Sequence, residues 1–195
     1  MTAAMAEPCA DISHNASDLE ILFTGCFGES ERTALVGGAD EPLYEPAGSD
    51  GEMHVLYYRE DFFASALHEI AHWCIAGEAR RQLRDFGYWY APEGRNPEEQ
   101  QAFEAVEVGP QALEWVLSCA AGYRFRLSVD NLDPATGALP DTRDFAAAVL
   151  ARVEQFQALG LPARGRLFFD CLRRHYGVRE DFSDMLFSLE DISQP

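Results

Sequence analysis

Lysine is absent from the chain: all fifteen basic residues are arginine. That excludes lysine Schiff-base chemistry, covalent attachment of pyridoxal phosphate and a phosphate-binding loop built on lysine. Paired cysteines are missing too. Cys9, Cys26, Cys74, Cys119 and Cys171 are widely spaced, odd in number and never in a CxxC arrangement. They suit reduced thiols in a cytoplasmic protein, several of them packed in the core. The first residues show neither a basic segment nor a sustained apolar one, so no signal peptide is expected, and no apolar run has transmembrane length. Positive charge is scarce: 15 basic residues against 33 acidic ones leave a net charge of −18. Such a surface repels phosphate backbones, so direct nucleic-acid binding is not expected, whereas a cationic substrate is tolerated.

Present instead is a globular composition, 47% hydrophobic and 12% aromatic over 195 residues, enough for one domain with a substantial core. Residues 1–16 are small and polar without periodicity and read as a flexible tail, leaving 17–195 as the domain. The apolar stretch 19–27 suits a helix or a strand. From Gly37 to Gly51 the density of Gly, Pro, Asp and Ser marks a long loop, with Leu43 and Tyr44 placed to fold back onto a pocket. Met53 to Arg59 has the β-branched and aromatic character of a buried strand. A helix over 62–76 follows, with Asp61 as N-cap and Gly77 as stop.

The segment Asp85 to Tyr90 reads as a strand or extended wall. Asn96-Pro97-Glu98-Glu99 is a strong helix start, running to about Glu104 or Glu107, and Pro110 opens a second helix to Ala121. A short strand is expected over Tyr123 to Val129 and a turn over 133–137. Two amphipathic helices close the chain, Asp141–Leu159 and Pro162–Tyr176, stopped by Gly160 and Gly177. Their stripes (Phe145, Val149, Val153 and Phe156; Leu167, Phe168 and Leu172) read as core. The expected fold class is α+β: a small sheet packed against helices, with a metal-binding helix of zincin-like type.

That helix carries His68-Glu69-Ile70-Ala71-His72. Residues four apart lie on one helical face, so both imidazoles can reach one divalent metal. The plainer alternative is a pair of partly buried core histidines beside Trp73. Two histidines need a third ligand, and Glu104 and Glu107 follow His72 by 32 and 35 positions. Glu107 is favoured, because Gln111 falls four residues later and can orient its carboxylate, with Glu104 as the alternative. His54 on the strand is a further possible ligand; His14 and His175 carry no signal. Glu69 is the general base of this motif in zinc peptidases, or else a carboxylate that only supports the site. Tyr88, Trp89 and Tyr90 are candidates to line a substrate cleft, where aromatic faces favour a cation.

HEIAHWCIAG at 68–77, FGYWYAPEGR at 86–95, FEAVEVGPQALEW at 103–115 and AAGYRFRLSVDNL at 120–132 together resemble bacterial elongation factor P hydroxylases. The resemblance runs from about residue 20 to 190. It implies a two-histidine, one-carboxylate metal site built on His68 and His72, with the acid drawn from the FEAVEV block. It also implies hydroxylation of the β-lysylated lysine of elongation factor P, a polycationic side chain. A three-residue ligand set leaves positions open for dioxygen at non-haem Fe(II), and hydroxylating an unactivated carbon needs redox chemistry that zinc lacks. No histidine is followed two positions later by an acid, so 2-oxoglutarate is not indicated as cosubstrate. A zinc metallopeptidase is the alternative reading of the motif.

Overall fold

A computed structural model of the chain describes residues 13–49, 51–85, 95–128 and 141–192. The ambiguous stretch near the start is helical. In α1 (Ala16–Phe27), Leu19, Phe23 and Phe27 recur every four residues and all are buried. Phe23 meets Phe27, Trp73 and Phe168 at ring-centroid distances of 5.0, 5.0 and 6.0 Å. His14, which carried no signal in the sequence, donates from Nε2 to the Ala121 carbonyl (2.8 Å) and stacks on Tyr176.

The expected loop over 37–51 holds more order than its composition suggested. It contains the end of β1 (Thr33–Ala39) and the whole of β2 (Leu43–Glu45). Both pair with β3 (His54–Arg59), β1 in parallel and β2 antiparallel, so β3 is central. Leu43 and Tyr44 are therefore sheet residues rather than a flap. Tyr44 is buried and donates its hydroxyl hydrogen to the Arg81 carbonyl at 3.0 Å. Asp85 closes an isolated bridge with Tyr44.

Gly37 explains why a strand hides in a glycine-rich stretch. A Cβ at this position would overlap the hydroxyl end of the Tyr58 ring. The Gly37 amide and the Tyr58 hydroxyl both donate to Glu20 Oε1, at 2.8 and 3.0 Å, which ties β1 and β3 to α1. Here glycine serves close backbone approach, not turning.

β3 leads directly into α2 (Phe63–Ile75). The expected caps are displaced. Phe62 is the N-cap residue without a side-chain bond, and the helix ends at Ala76, with no left-handed glycine at 77. Arg164 caps the other end, its Nη2 donating to the carbonyls of Trp73, Cys74 and Ala76 while its guanidinium stacks 4.7 Å over Trp73. A cation against the negative end of the helix replaces the local stop signal.

The two helices expected around Pro110 are one, α3 (Pro97–Ala120), about 36 Å long at 1.5 Å per residue. It opens with the expected Asn96 cap, whose Oδ1 accepts from the amides of Glu98 and Glu99 at 3.0 Å while Glu99 accepts from Asn96. Pro110 deletes the bond to the Val106 carbonyl, a cost of about 3 kcal/mol in a helix interior. The helix survives because its second half is buried nearly all round: Ala112, Leu113, Val116, Leu117 and Ala120 are fully enclosed.

Tyr123 to Ser128 is not a strand. Phe125 and Leu127 are buried, but the Gln111 side chain, not a neighbouring strand, meets the Ser128 backbone. α4 (Arg143–Leu159) buries Phe145, Val149, Val153 and Phe156 as expected. α5 (Ala163–Tyr176) buries Phe168, Phe169 and Leu172, whereas Leu167, expected in its core stripe, is 45% exposed. Its stop is Gly177, left-handed at φ 72°. A short α6 (Leu189–Ile192) follows. The described residues thus form a small α+β domain of six helices and a three-stranded sheet. Residues 86–90, 133–137 and most of the expected tail lie outside them.

Gly37→Ala is expected to lower unfolding free energy by about 1–3 kcal/mol through overpacking against Tyr58, measured by urea denaturation.

Candidate metal centre

The site lies where α2 packs on α3. On α2, Leu67, Ile70, Ala71, Trp73 and Cys74 are buried and fix the helix's rotation. His68 and His72 occupy the flank facing α3, with side chains 25% and 18% exposed. On α3 the facing residues are polar: Glu107, Gln111, Glu114 and Ser118 are all buried. Their spacing of four, three and four puts them on one face.

Across this interface His72 Nε2 lies 3.2 Å from Glu107 Oε1, His68 Nε2 lies 3.5 Å from Glu107 Oε2, and the two Nε2 atoms are 3.0 Å apart. One ligand atom from each of His68, His72 and Glu107 falls within 4.8 Å of the others, so the three could hold a metal ion. The donor set suits one: two neutral imidazoles and a carboxylate are ordinary ligands for zinc, iron or similar divalent ions.

The fourth participant is Glu114, which the sequence reading did not single out. Its Oε2 lies 2.8 Å from His68 Nδ1. A carboxylate on Nδ1 holds the ring's orientation and leaves Nε2 as the atom turned toward His72 and Glu107. One signal in the sequence could have found it: Glu114 is seven residues after Glu107 and three after Gln111, so it continues the same helical face. Gln111 takes the place expected of it, donating from Nε2 to Glu107 Oε2 at 3.4 Å. The same amide group donates to the Ser128 carbonyl at 2.7 Å and accepts from the Ser128 amide at 3.0 Å.

Electrostatics follow from burial and proximity. Burial opposes charge on His68, but the hydrogen bond to Glu114 and the charges of Glu114, Glu107 and Glu69 outweigh it and lift the imidazole to about 10. Burial would raise Glu107, yet the hydrogen bond from His72 and the charge of His68 leave it below the usual carboxylate range. Glu114 goes the other way: burial wins, and its carboxyl rises despite His68. Glu69 is also raised by burial, with both histidines pulling against that rise.

The remaining candidates separate cleanly. Glu104 lies one turn before Glu107 and accepts from Gln100 Nε2 at 2.9 Å; it is not in the converging group. His54 is outside it as well, its Nδ1 accepting from the Ala47 amide at 3.0 Å and its ring stacked on Tyr44. Tyr88, Trp89 and Tyr90 lie outside the described residues. A cavity of about 630 Å³ borders His72, walled by Ile75, Ala105, Val108, Gly109 and Ala148, with Arg80 and Arg152 among its polar groups.

Two imidazoles and one carboxylate converging from packed helices, with a second carboxylate behind one imidazole, define a candidate metalloprotein of the two-histidine, one-carboxylate kind. Comparison with known proteins narrows this class. The family model for elongation factor P hydroxylase matches residues 22–186. The elongation factor P lysine hydroxylase of Haemophilus influenzae is 45% identical over 172 residues, covering 88% of this chain and 95% of that protein. The chain belongs to the elongation factor P hydroxylase family.

If Glu107 is the third ligand, Glu107→Ala loses most of the bound metal after chelator-free purification, and Glu104→Ala keeps it; elemental analysis reads both. Glu114→Gln is expected to weaken metal affinity by about 10–100-fold while leaving the fold intact by circular dichroism.

Proposed function

We propose that this chain hydroxylates the β-lysylated lysine of elongation factor P, using Fe(II) held by His68 Nε2, His72 Nε2 and a Glu107 carboxylate oxygen. The observation that carries this is the convergence of those three groups within 4.8 Å, in a chain 45% identical to a protein named for that reaction. On this reading α2 is a zincin-like metal helix by motif, put to oxidative use. Ferrous iron, when bound, supplies the redox chemistry that activates dioxygen for insertion of one oxygen atom into a carbon–hydrogen bond.

The protein's own residues do the rest. Glu114 holds the His68 ring so that Nδ1 is occupied and Nε2 faces the metal position. Gln111 bonds Glu107 and the Ser128 backbone at once, so the carboxylate and the segment after α3 are set by one side chain. Glu69, next to His68 on α2, is the catalytic acid–base candidate; its carboxyl, raised by burial, is suited to holding a proton near the two imidazoles. Tyr88, Trp89 and Tyr90 are proposed to receive the cationic substrate side chain. The net charge of −18 favours approach of that side chain. The reaction places the protein in the cytoplasm, with residues 17–195 as its working domain and 1–16 as a tail. No helix among the described residues is long and apolar enough to cross a membrane.

The motif also serves zinc peptidases, but membership of a hydroxylase family favours hydroxylation over peptide hydrolysis. Intact mass spectrometry decides: β-lysylated elongation factor P should gain about 16 Da, one oxygen atom, only with Fe(II), dioxygen and a reductant present. No gain with iron-loaded enzyme, or zinc-dependent cleavage instead, would overturn the proposal. Glu69→Gln should retain iron and lower turnover by about a hundredfold or more; full turnover would make Glu69 structural.

A further inference from the structure

Pro110 interrupts the middle of α3, and its missing amide hydrogen leaves the Val106 carbonyl without the donor a helix normally supplies. Residues four apart share one helical face, so the gap in bonding opens on the side that carries both. Val106 and Pro110 both line the cavity of about 630 Å³ that borders His72. The cavity wall beside a candidate metal ligand therefore holds a backbone acceptor that α3 itself does not pair.

The rest of the wall restricts what can meet that acceptor. It is drawn from α2 and the turn after it, from α3 and from α4, and much of it is small: Gly77, Ala105, Gly109, Ala148 and Ala151. Such a lining leaves room for a slender chain. No carboxylate is among its described residues, although the chain carries 33 acidic side chains. Its two arginines are Arg80, paired with Asp85 at 2.6 Å, and Arg152, whose Nη1 donates to Gln155 Oε1 at 2.5 Å. Two guanidiniums without a lining acid disfavour an ammonium group, which must also shed water to enter. A neutral amide N–H meets neither obstacle and bonds a backbone carbonyl as the chain's own amides do.

We propose that this cavity binds the uncharged stretch of the substrate side chain, with the Val106 carbonyl accepting the hydrogen of its amide. The inference rests on the hydroxylase reading above, in which a lysine acylated by a β-lysyl group carries a secondary amide between runs of methylenes. A cavity of this volume lies within the range of roughly 300–1,000 Å³ usual for small-ligand sites. Anchoring the amide sets which methylenes lie beside His72, while the ammonium groups remain outside the cavity. Pro110 is then a positioning residue: unfavourable to α3 as a helix residue, it acts through the carbonyl it releases.

The test replaces Pro110 with alanine, whose amide restores the helical bond and occupies the Val106 carbonyl. Iron-loaded, full-length wild type and Pro110→Ala are assayed on β-lysylated elongation factor P by its mass gain of about 16 Da. The variant is expected to raise KM about tenfold, with kcat changed less than KM, iron content unchanged and a melting temperature no lower than wild type. Ala151→Leu, which narrows the cavity from α4 and leaves the carbonyl released, should raise KM as well. Binding is read without turnover by fluorescence anisotropy of a labelled peptide carrying the β-lysylated lysine. A second peptide, N-methylated at the side-chain amide, should bind wild type about tenfold more weakly and lose nothing further with Pro110→Ala. Equal binding of the two peptides by wild type, or an unchanged KM in Pro110→Ala, would overturn this inference while wild-type hydroxylation still stood. No mass gain with wild type would overturn the hydroxylase reading itself, and this inference with it.

Discussion

Two carboxylates buried against two imidazoles are the constraint on which the remaining structure depends. Glu107 and Glu114 are only 4% and 6% exposed, and an unpaired charge at such positions costs several kcal/mol. Each is compensated across the helix interface, at 3.2 and 3.5 Å for Glu107 and at 2.8 Å for Glu114. That compensation fails if α2 turns or slides against α3 by a fraction of a helical turn. The rest of the chain can be understood as what prevents this. β3 feeds α2 through a three-residue connection in which Glu60 adopts φ 49°, Arg164 grips its far end, and Phe23 of α1 packs edge-on against Trp73. Past Pro110, α3 is enclosed on nearly every side, which fixes the rotation that points Glu107 and Glu114 at the histidines.

The two carboxylates do different work although they lie on one face of one helix. Glu107 meets the Nε2 side of both imidazoles, whereas Glu114 reaches behind His68 to Nδ1. Their acidities shift in opposite directions. The histidine contacts hold the Glu107 carboxyl below its usual range, whereas burial raises that of Glu114 despite its contact with His68. Gln111 sits between them, donating once to Glu107 and making its remaining bonds to the Ser128 backbone. Among the described residues no strand pairs with 123–128, and the Gln111 amide meets the Ser128 backbone instead.

How much of this was legible in the sequence depended on how local each interaction is. The paired histidines needed only helical geometry over five residues, and the Asn96 cap only three, so both were readable. Glu107 was favoured over Glu104 because Gln111 stood one turn away, again a local relation, and Glu107 is the acid that meets the histidines. Glu114 was legible in principle, as the next polar residue on that face, but a glutamate followed by tryptophan in an apolar run carries no mark of its own. The strands were harder. Gly37 and Gly38 argue for a turn in any local reading, and only the Tyr58 hydroxyl pressed against position 37 makes glycine a requirement of the sheet. Pro110 argued for a break, and burial of the following residues overrode it. At Gly77 the stop signal went unused because an arginine 87 residues later, Arg164, supplies the cap.

By itself, the sequence revealed the HExxH motif, the two helices that close the chain, the acid favoured as third ligand and the resemblance to a hydroxylase family. All rest on residue spacing or continuous blocks of residues, which a chain carries before it folds. Only the tertiary structure decided that β1 and β2 flank β3, that α3 is unbroken and that Glu114 stands behind His68. These rest on groups distant in the chain, and their energies come from burial and pairing that exist only after packing. The HExxH helix thus marked a candidate metal site by its own spacing, while the groups that meet its histidines came from the fold.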